Sequence, residues 1–282
     1  IHCNIAPELE KASEPGVVGT GISCGVDSLH VLAKQLDNNH DDLKISHLAL
    51  FNFHGHSESA SSKRTALFQS MVDQAGAFSR DYCYELIVGD TNYDGGCFPE
   101  LIFENSTTYG IVFSVLAMQK LWRTYFIASG GFVGRFKLDN AAIGDCVYYD
   151  LLSTMAFSTQ KLKFYLEGLG IDRLEKVKTL INFEPSYRYL DVCWLHQNAE
   201  VGNCSSKCPK CMRTMLELDA LGALDKYGKV FDVDYYRKHR HEYLAELYRT
   251  CLIHQAYGLE LKPYFAKTTA PVKISAWIVV LN

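Results

Sequence analysis

The sequence has no excess of positive charge: 28 Lys and Arg stand against 32 Asp and Glu, a formal net charge of −4. A nucleic-acid binder that works mainly by neutralising phosphates needs the opposite balance, so composition argues against a nucleic-acid partner. No apolar run approaches the ~20 residues of a membrane-spanning helix, and no membrane partner is expected. No leader pattern is visible, although the chain opens Ile1-His2-Cys3 without a Met. The ten cysteines follow no regular framework along the chain. That suits a reducing, cytoplasmic setting better than a secreted disulfide scaffold. There is no internal repeat and no low-complexity segment. What is there, 48 % hydrophobic and 21 % charged residues in 282, is ordinary for an enzyme. It is enough for one large α/β domain, or a domain with an appendage.

Strand-like and helix-like stretches alternate. The run from Gly16 to Val18 enters a loop of small residues, and a helical stretch follows from Leu29 to Ala33. Residues 37–42 read as a polar turn, 45–51 as a buried strand, and 61–75 as a helix stopped by Gly76. Residues 83–88 form a third strand candidate, 89–105 an irregular segment, 108–121 an apolar helix, and 125–129 a short strand running into Gly130-Gly131. This alternation predicts an α/β fold, a parallel sheet with crossover helices on both faces. Ligands in such sheets bind past the carboxyl ends of the strands. Residues 23–28, 52–56 and 129–131 all fall at such ends. Further on, 161–183 reads as helical with a break at Gly168–Gly170, 212–224 as an amphipathic helix, and 232–262 as one or two surface helices. The stretch 273–281 reads as a strand-like tail.

The first chemical signal is Gly19-Thr20-Gly21-Ile22-Ser23-Cys24-Gly25-Val26-Asp27-Ser28. A strand–loop–helix of this kind exposes backbone N–H groups at a helix N-terminus, where the macrodipole favours an anion. Ser23 and Ser28 add hydroxyls, and Gly25 permits close approach of the backbone. The loop has neither the lysine and spacing of a Walker A sequence nor the glycine spacing of a dinucleotide loop. The competing reading is an ordinary helix capped by Ser23 or Asp27. Cys24 reads either as a small space-filling residue or as a nucleophile activated by the helix N-terminus. A bound triphosphate would repel a thiolate, which favours the first.

The second signal is Cys193, Cys204, Cys208 and Cys211, spaced Cys-x10-Cys-x3-Cys-x2-Cys. Four thiolates form a complete tetrahedral shell for Zn²⁺ and leave no open position for water, so the metal would be structural. The alternatives are buried free thiols or a redox Cys-x-x-Cys pair.

Ser23-Cys24-Gly25-Val26-Asp27-Ser28 resembles the Ser-Gly-Gly-x-Asp-Ser loop of the PP-loop ATP pyrophosphatases, with Cys24 in place of a glycine. With a four-cysteine cluster near the C-terminal end, the chain is similar to the 7-cyano-7-deazaguanine synthase family. The resemblance covers residues 16–60 and 190–222. Phe51-Asn52-Phe53-His54-Gly55-His56 is similar to that family's second-strand end, and Arg213 follows the last cysteine as it does there. The family's Tyr-Pro-Asp-Cys segment is missing; 145–150 lies nearest to it.

The resemblance implies a Rossmann-like PP-loop domain over 1–190, and a zinc-binding segment with a helical tail over 191–282. It implies an ATP- and Mg²⁺-dependent ligase that adenylates a small-molecule carboxylate or amide for attack by a nitrogen nucleophile, releasing AMP and pyrophosphate. Asp27 and Ser28 would be catalytic, with Asp27 also holding Mg²⁺. Ser23, Cys24, Gly25, Val26, Asp27, Ser28, Phe51, Asn52, Ser129 and Gly130 would hold the nucleotide. Ammonia would come free or from a partner protein, and a homo-oligomer stays open. The alternatives are a tRNA-modifying enzyme and a non-catalytic nucleotide-binding subunit. Among other residues, Arg173 and Lys176 could clamp an anion or form a solvated face, the latter favoured. His54 and His56 are acid–base candidates. Ser153 and Thr154 are site residues or caps, and 235–240 is a basic–aromatic patch read as a surface helix.

Overall fold

The computed structural model describes residues 16–36, 41–52, 62–91, 103–136, 146–193, 204–254 and 259–261. His54, His56 and the 273–281 tail lie outside them. Five strands form one parallel sheet: β1 (Val17–Gly21), β2 (His47–Asn52), β3 (Glu85–Asp90), β4 (Trp122–Ala128) and β5 (Lys163–Glu167), in the order β3-β2-β1-β4-β5. The helices are α1 (Val26–Gln35), α2 (Ser62–Asp81), α3 (Phe103–Ala117), α4 (Asp150–Phe157), α5 (Arg173–Leu180), the short α6 (Ser186–Tyr189), α7 (Pro209–Ala220) and α8 (Val233–His254). The expected parallel α/β architecture is present.

Alternation along the strands explains the layering. Val18, Leu48, Leu50 and Phe126 point to one face, into a core shared with α1, α2, α5, α7 and α8. Ala49, Tyr125 and Ile127 point to the other, where Val112 and Val115 of α3 cover them, and a register shift at the start of the β1/β4 pairing brings Trp122 to the same face. Successive side chains of a strand face opposite ways, so each central strand feeds both cores. The first core continues through Leu190, Val192 and Cys193 to Met215, Leu216 and Tyr236, so residues on either side of position 190 pack together.

Three local expectations need correction. Residues 163–167 are a strand, not a helix. The segment Lys163-Phe164-Tyr165 alternates exposed, buried, exposed, a period-2 signal too short to stand out beside α5. Gly76 does not stop α2, which runs on to Asp81. A helix-interior glycine costs only about 1 kcal/mol, and packing outweighs it. The third strand begins at Glu85, because Cys83 has φ +58° and belongs to the turn before it.

Candidate functional site

Strand order places the site. β1 connects through α1 to β2 on one side, while its other neighbour is β4. The chain thus runs away in opposite directions from adjacent strand ends, which opens a crevice at their carboxyl edge. Residues 22–25 leave β1 there, and Ser129-Gly130-Gly131 leave β4 beside them.

The loop after β1 is tightly organised. Cys24 sits at φ +57° and is buried, and its carbonyl accepts the Asp191 N–H at 2.8 Å. Ser23 Oγ accepts the Gly25 N–H at 3.3 Å and lies 3.2 Å from Ser28 Oγ, which donates to the Gly25 carbonyl at 3.1 Å. Gly25 is the N-cap of α1, and no side chain caps the helix. The capped-helix reading of Ser23 or Asp27 is therefore corrected. The first-turn N–H groups of α1 have no intrahelical acceptors, as at any helix start, and lie at the crevice. Burial, and then the nearby Asp191 carboxylate, push the Cys24 thiol up, so it stays protonated and fills space.

Asp27 does not cap; it pairs. Lys176 Nζ donates to Asp27 Oδ1 at 2.8 Å and to the Ser129 carbonyl, tying the β1 loop to the β4 loop. The Lys176 side chain is 3 % exposed, whereas Asp27 keeps 35 %. Burial raises the Asp27 carboxyl, but Lys176 and then Arg173 outweigh it and hold the group below its ordinary range. Arg173 is itself engaged, donating to Thr214 Oγ1 at 2.9 Å and lying 3.3 Å from the buried Glu217. The solvated-face reading of Arg173 and Lys176 is thus corrected: Lys176 shares the buried stripe of Val177 and Leu180. That adjacency in the sequence was the signal that could have found it.

The other expected nucleotide residues fall at neighbouring strand ends. Phe51 lies over Gly89, where a Cβ would come within 2.7 Å of its ring, and Asn52 Nδ2 donates to Asp90 Oδ1 at 2.9 Å. Ser129 is buried, and its Oγ accepts the Gly131 N–H at 3.1 Å, so Ser129–Gly131 is a tight turn at the crevice edge. Beyond it lies an apolar hollow lined by Phe132, Val133, Phe136, Val147, Tyr148 and Leu151. Val26 is buried in the core behind the loop.

The cysteine cluster adjoins the same loop. The sulfurs of Cys193, Cys208 and Cys211 lie within 4.8 Å of one another, all buried, and could hold a metal ion. Cys204 is outside that mutual set, although it is buried and hydrogen-bonds Cys211. The donor set suits thiolates. Cys193 Sγ accepts the Ser205 N–H, Cys204 Sγ the Val192 N–H and Cys208 Sγ the Cys211 N–H, each at 3.4 Å. Pro209 at the first position of α7 presets the turn that brings Cys211 onto Cys208. The Cys204 bond pushes the Cys211 thiol up, the Cys208 bond opposes it, and burial adds to the rise. A cation binding here must displace protons.

No family model, curated protein or solved structure matches the chain. The site therefore stands on its geometry. That geometry brings together Ser23, Gly25, Asp27, Ser28, Ser129 and Gly130, adds Lys176 and Asp191, and leaves Phe51 and Asn52 at the end of β2, the strand beside β1. The basic–aromatic patch is largely neutralised. Arg237 pairs with Asp225 and Asp234, Arg240 with Asp219, and Tyr236 is buried. Among the described residues no helix is long and apolar enough to cross a membrane.

Proposed function

We propose that the protein is an ATP-dependent enzyme that adenylates a small-molecule carboxylate or amide and releases AMP and pyrophosphate. The observation that supports this most is the capless α1 N-terminus at the β1/β4 crevice with a buried ammonium, Lys176, beside it. In this reading the α1 first-turn N–H groups and the Ser23 and Ser28 hydroxyls bind the outer phosphates. A substrate oxygen attacks the α-phosphorus, the bond to pyrophosphate breaks, and pyrophosphate leaves with the electron pair. Lys176 offsets the charge that develops, a form of preorganised electrostatic stabilisation. Mg²⁺, held by Asp27, would supply further charge neutralisation on the phosphates. A nitrogen nucleophile, ammonia free or delivered by a partner, would then displace AMP.

The cysteine cluster is read as a structural Zn²⁺ site, with Cys204 moving in to complete four sulfur ligands. A second reading, a non-catalytic nucleotide-binding subunit, is favoured by the Asp27–Lys176 pair, which Mg²⁺ would have to share or break. Chromatography of ATP incubated with the protein and a panel of carboxylates separates them. AMP and pyrophosphate, lost in Asp27→Ala with the fold intact, support the enzyme. ADP as sole product refutes it. Unchanged ATP affinity and unchanged turnover in Asp27→Ala would remove the site.

A further inference from the structure

We propose that Asp191 is a positioning residue through which the cysteine cluster sets the shape of the phosphate loop. The inference rests on the nucleotide and metal readings above, but its geometry is independent of them. Cys24 holds the loop's left-handed turn at φ +57°. A non-glycine residue is strained there and persists only when its surroundings hold it. The bond that reaches the loop from outside it is the Asp191 N–H, which donates to the Cys24 carbonyl at 2.8 Å. Next door, a Cβ on Gly25 would lie 3.6 Å from the Asp191 carbonyl.

The other side of Asp191 faces the sulfurs. Its Oδ1 accepts the Cys193 N–H at 3.1 Å and the Cys204 thiol at 3.8 Å. Two residues of chain therefore separate the Cys193 sulfur from the Asp191 N–H that fixes the loop. When a cation gathers Cys193, Cys204, Cys208 and Cys211, the 191–193 segment is pinned and the α1 N–H groups are presented ready-made. Without it, Asp191 loses its anchor and Cys24 can relax out of the left-handed region. Coupling of this kind is reciprocal, so nucleotide must raise metal affinity by the factor by which metal raises nucleotide affinity.

Amide hydrogen exchange tests the link without requiring turnover. The protein is loaded with Zn²⁺ or stripped by a chelator, and exchange is followed at residues 22–29. Stripping should speed exchange there about tenfold, a typical coupling factor. Asp191→Ala keeps all four cysteines; with Zn²⁺ bound it should exchange like the stripped wild type. Asp191→Asn keeps an Oδ1 acceptor for the Cys193 N–H and should restore slow exchange. If stripping unfolds the chain, the two zinc-loaded variants alone carry the comparison. The inference is overturned if the protein takes up no zinc, or if loop exchange ignores the metal. It is also overturned if zinc-loaded Asp191→Ala matches wild type. Calorimetry with Mg-ATP on the same samples keeps the readings apart. Metal-dependent loop protection without ATP binding upholds the link and refutes the nucleotide reading.

Discussion

Lowering the pH should destabilise the protein through His30 before its carboxylates are protonated. His30 lies on α1, 1 % exposed, with Nδ1 lacking a partner among the described residues and Nε2 4.0 Å from Glu167 Oε1. Burial, and then the neighbouring Lys176 charge, lower its pKa from 6.5 to about 4. Below pH 6.5 the unfolded chain takes up this proton, and the folded chain refuses it until about pH 4. The unfolded state therefore binds more protons across that window, and stability falls as pH falls. At 1.36 kcal/mol per pH unit, the drop amounts to about 3 kcal/mol, fully expressed at pH 4. Urea unfolding at stepped pH values measures it, with the slope checked for constancy. Wild type should lose about 3 kcal/mol more than His30→Leu between pH 6.5 and 4. The difference cancels whatever the carboxylates contribute. The His30 imidazole resonances of the folded protein should titrate near pH 4, and higher in Lys176→Met. Parallel curves for wild type and His30→Leu, or titration near 6.5, would refute the reasoning.

Cys208→Ser should lower metal content, melting temperature and soluble yield together. A zinc-free wild type that melts at the same temperature as the zinc-loaded wild type would oppose a structural metal. Cys24→Gly removes the left-handed penalty and a buried thiol at once and should hold the melting temperature within a few degrees. Cys24→Val, β-branched in the same conformation, should lower it clearly; the reverse order would be fatal to the account of the loop. Gly19→Ala would place a Cβ 2.3 Å from the buried Trp122 ring and should cost about 1–3 kcal/mol in chemical denaturation. A neutral result would mean that Trp122 does not pack on β1.

The sequence is most readable where local signals are strong. The small-residue loop between β1 and α1 and the closely spaced cysteines could be found without coordinates, because each depends on residues near in sequence. Strand order could not. Nothing in Val17–Gly21 says that its neighbours are His47–Asn52 and Trp122–Ala128, since that pairing is fixed by packing on both faces. Lys176 was misplaced for the same reason. A lysine on a short helix is usually solvated, and only the meeting of α5 with α1 brings it to Asp27, 149 residues away in the chain. Asp191 carried no signal apart from its place two residues before Cys193. Strand β5 was hidden by its length, five residues.

The register of β1 has a consequence for how the protein is made. β1 is central, yet its β4 partner follows about a hundred residues later, and the contacts that finish its loop come from Lys176 and Asp191. Parallel pairing over such separations forms slowly, since loop closure precedes its reward. On a ribosome, which releases chain from the N-terminus, the Ser23–Ser28 segment emerges before α5 and Asp191 and must wait, unclosed, until they have followed it out. The loop is thus synthesised well before the residues that complete its working shape, and a ribosome stalled before residue 191 would present the loop without the Asp191 bond.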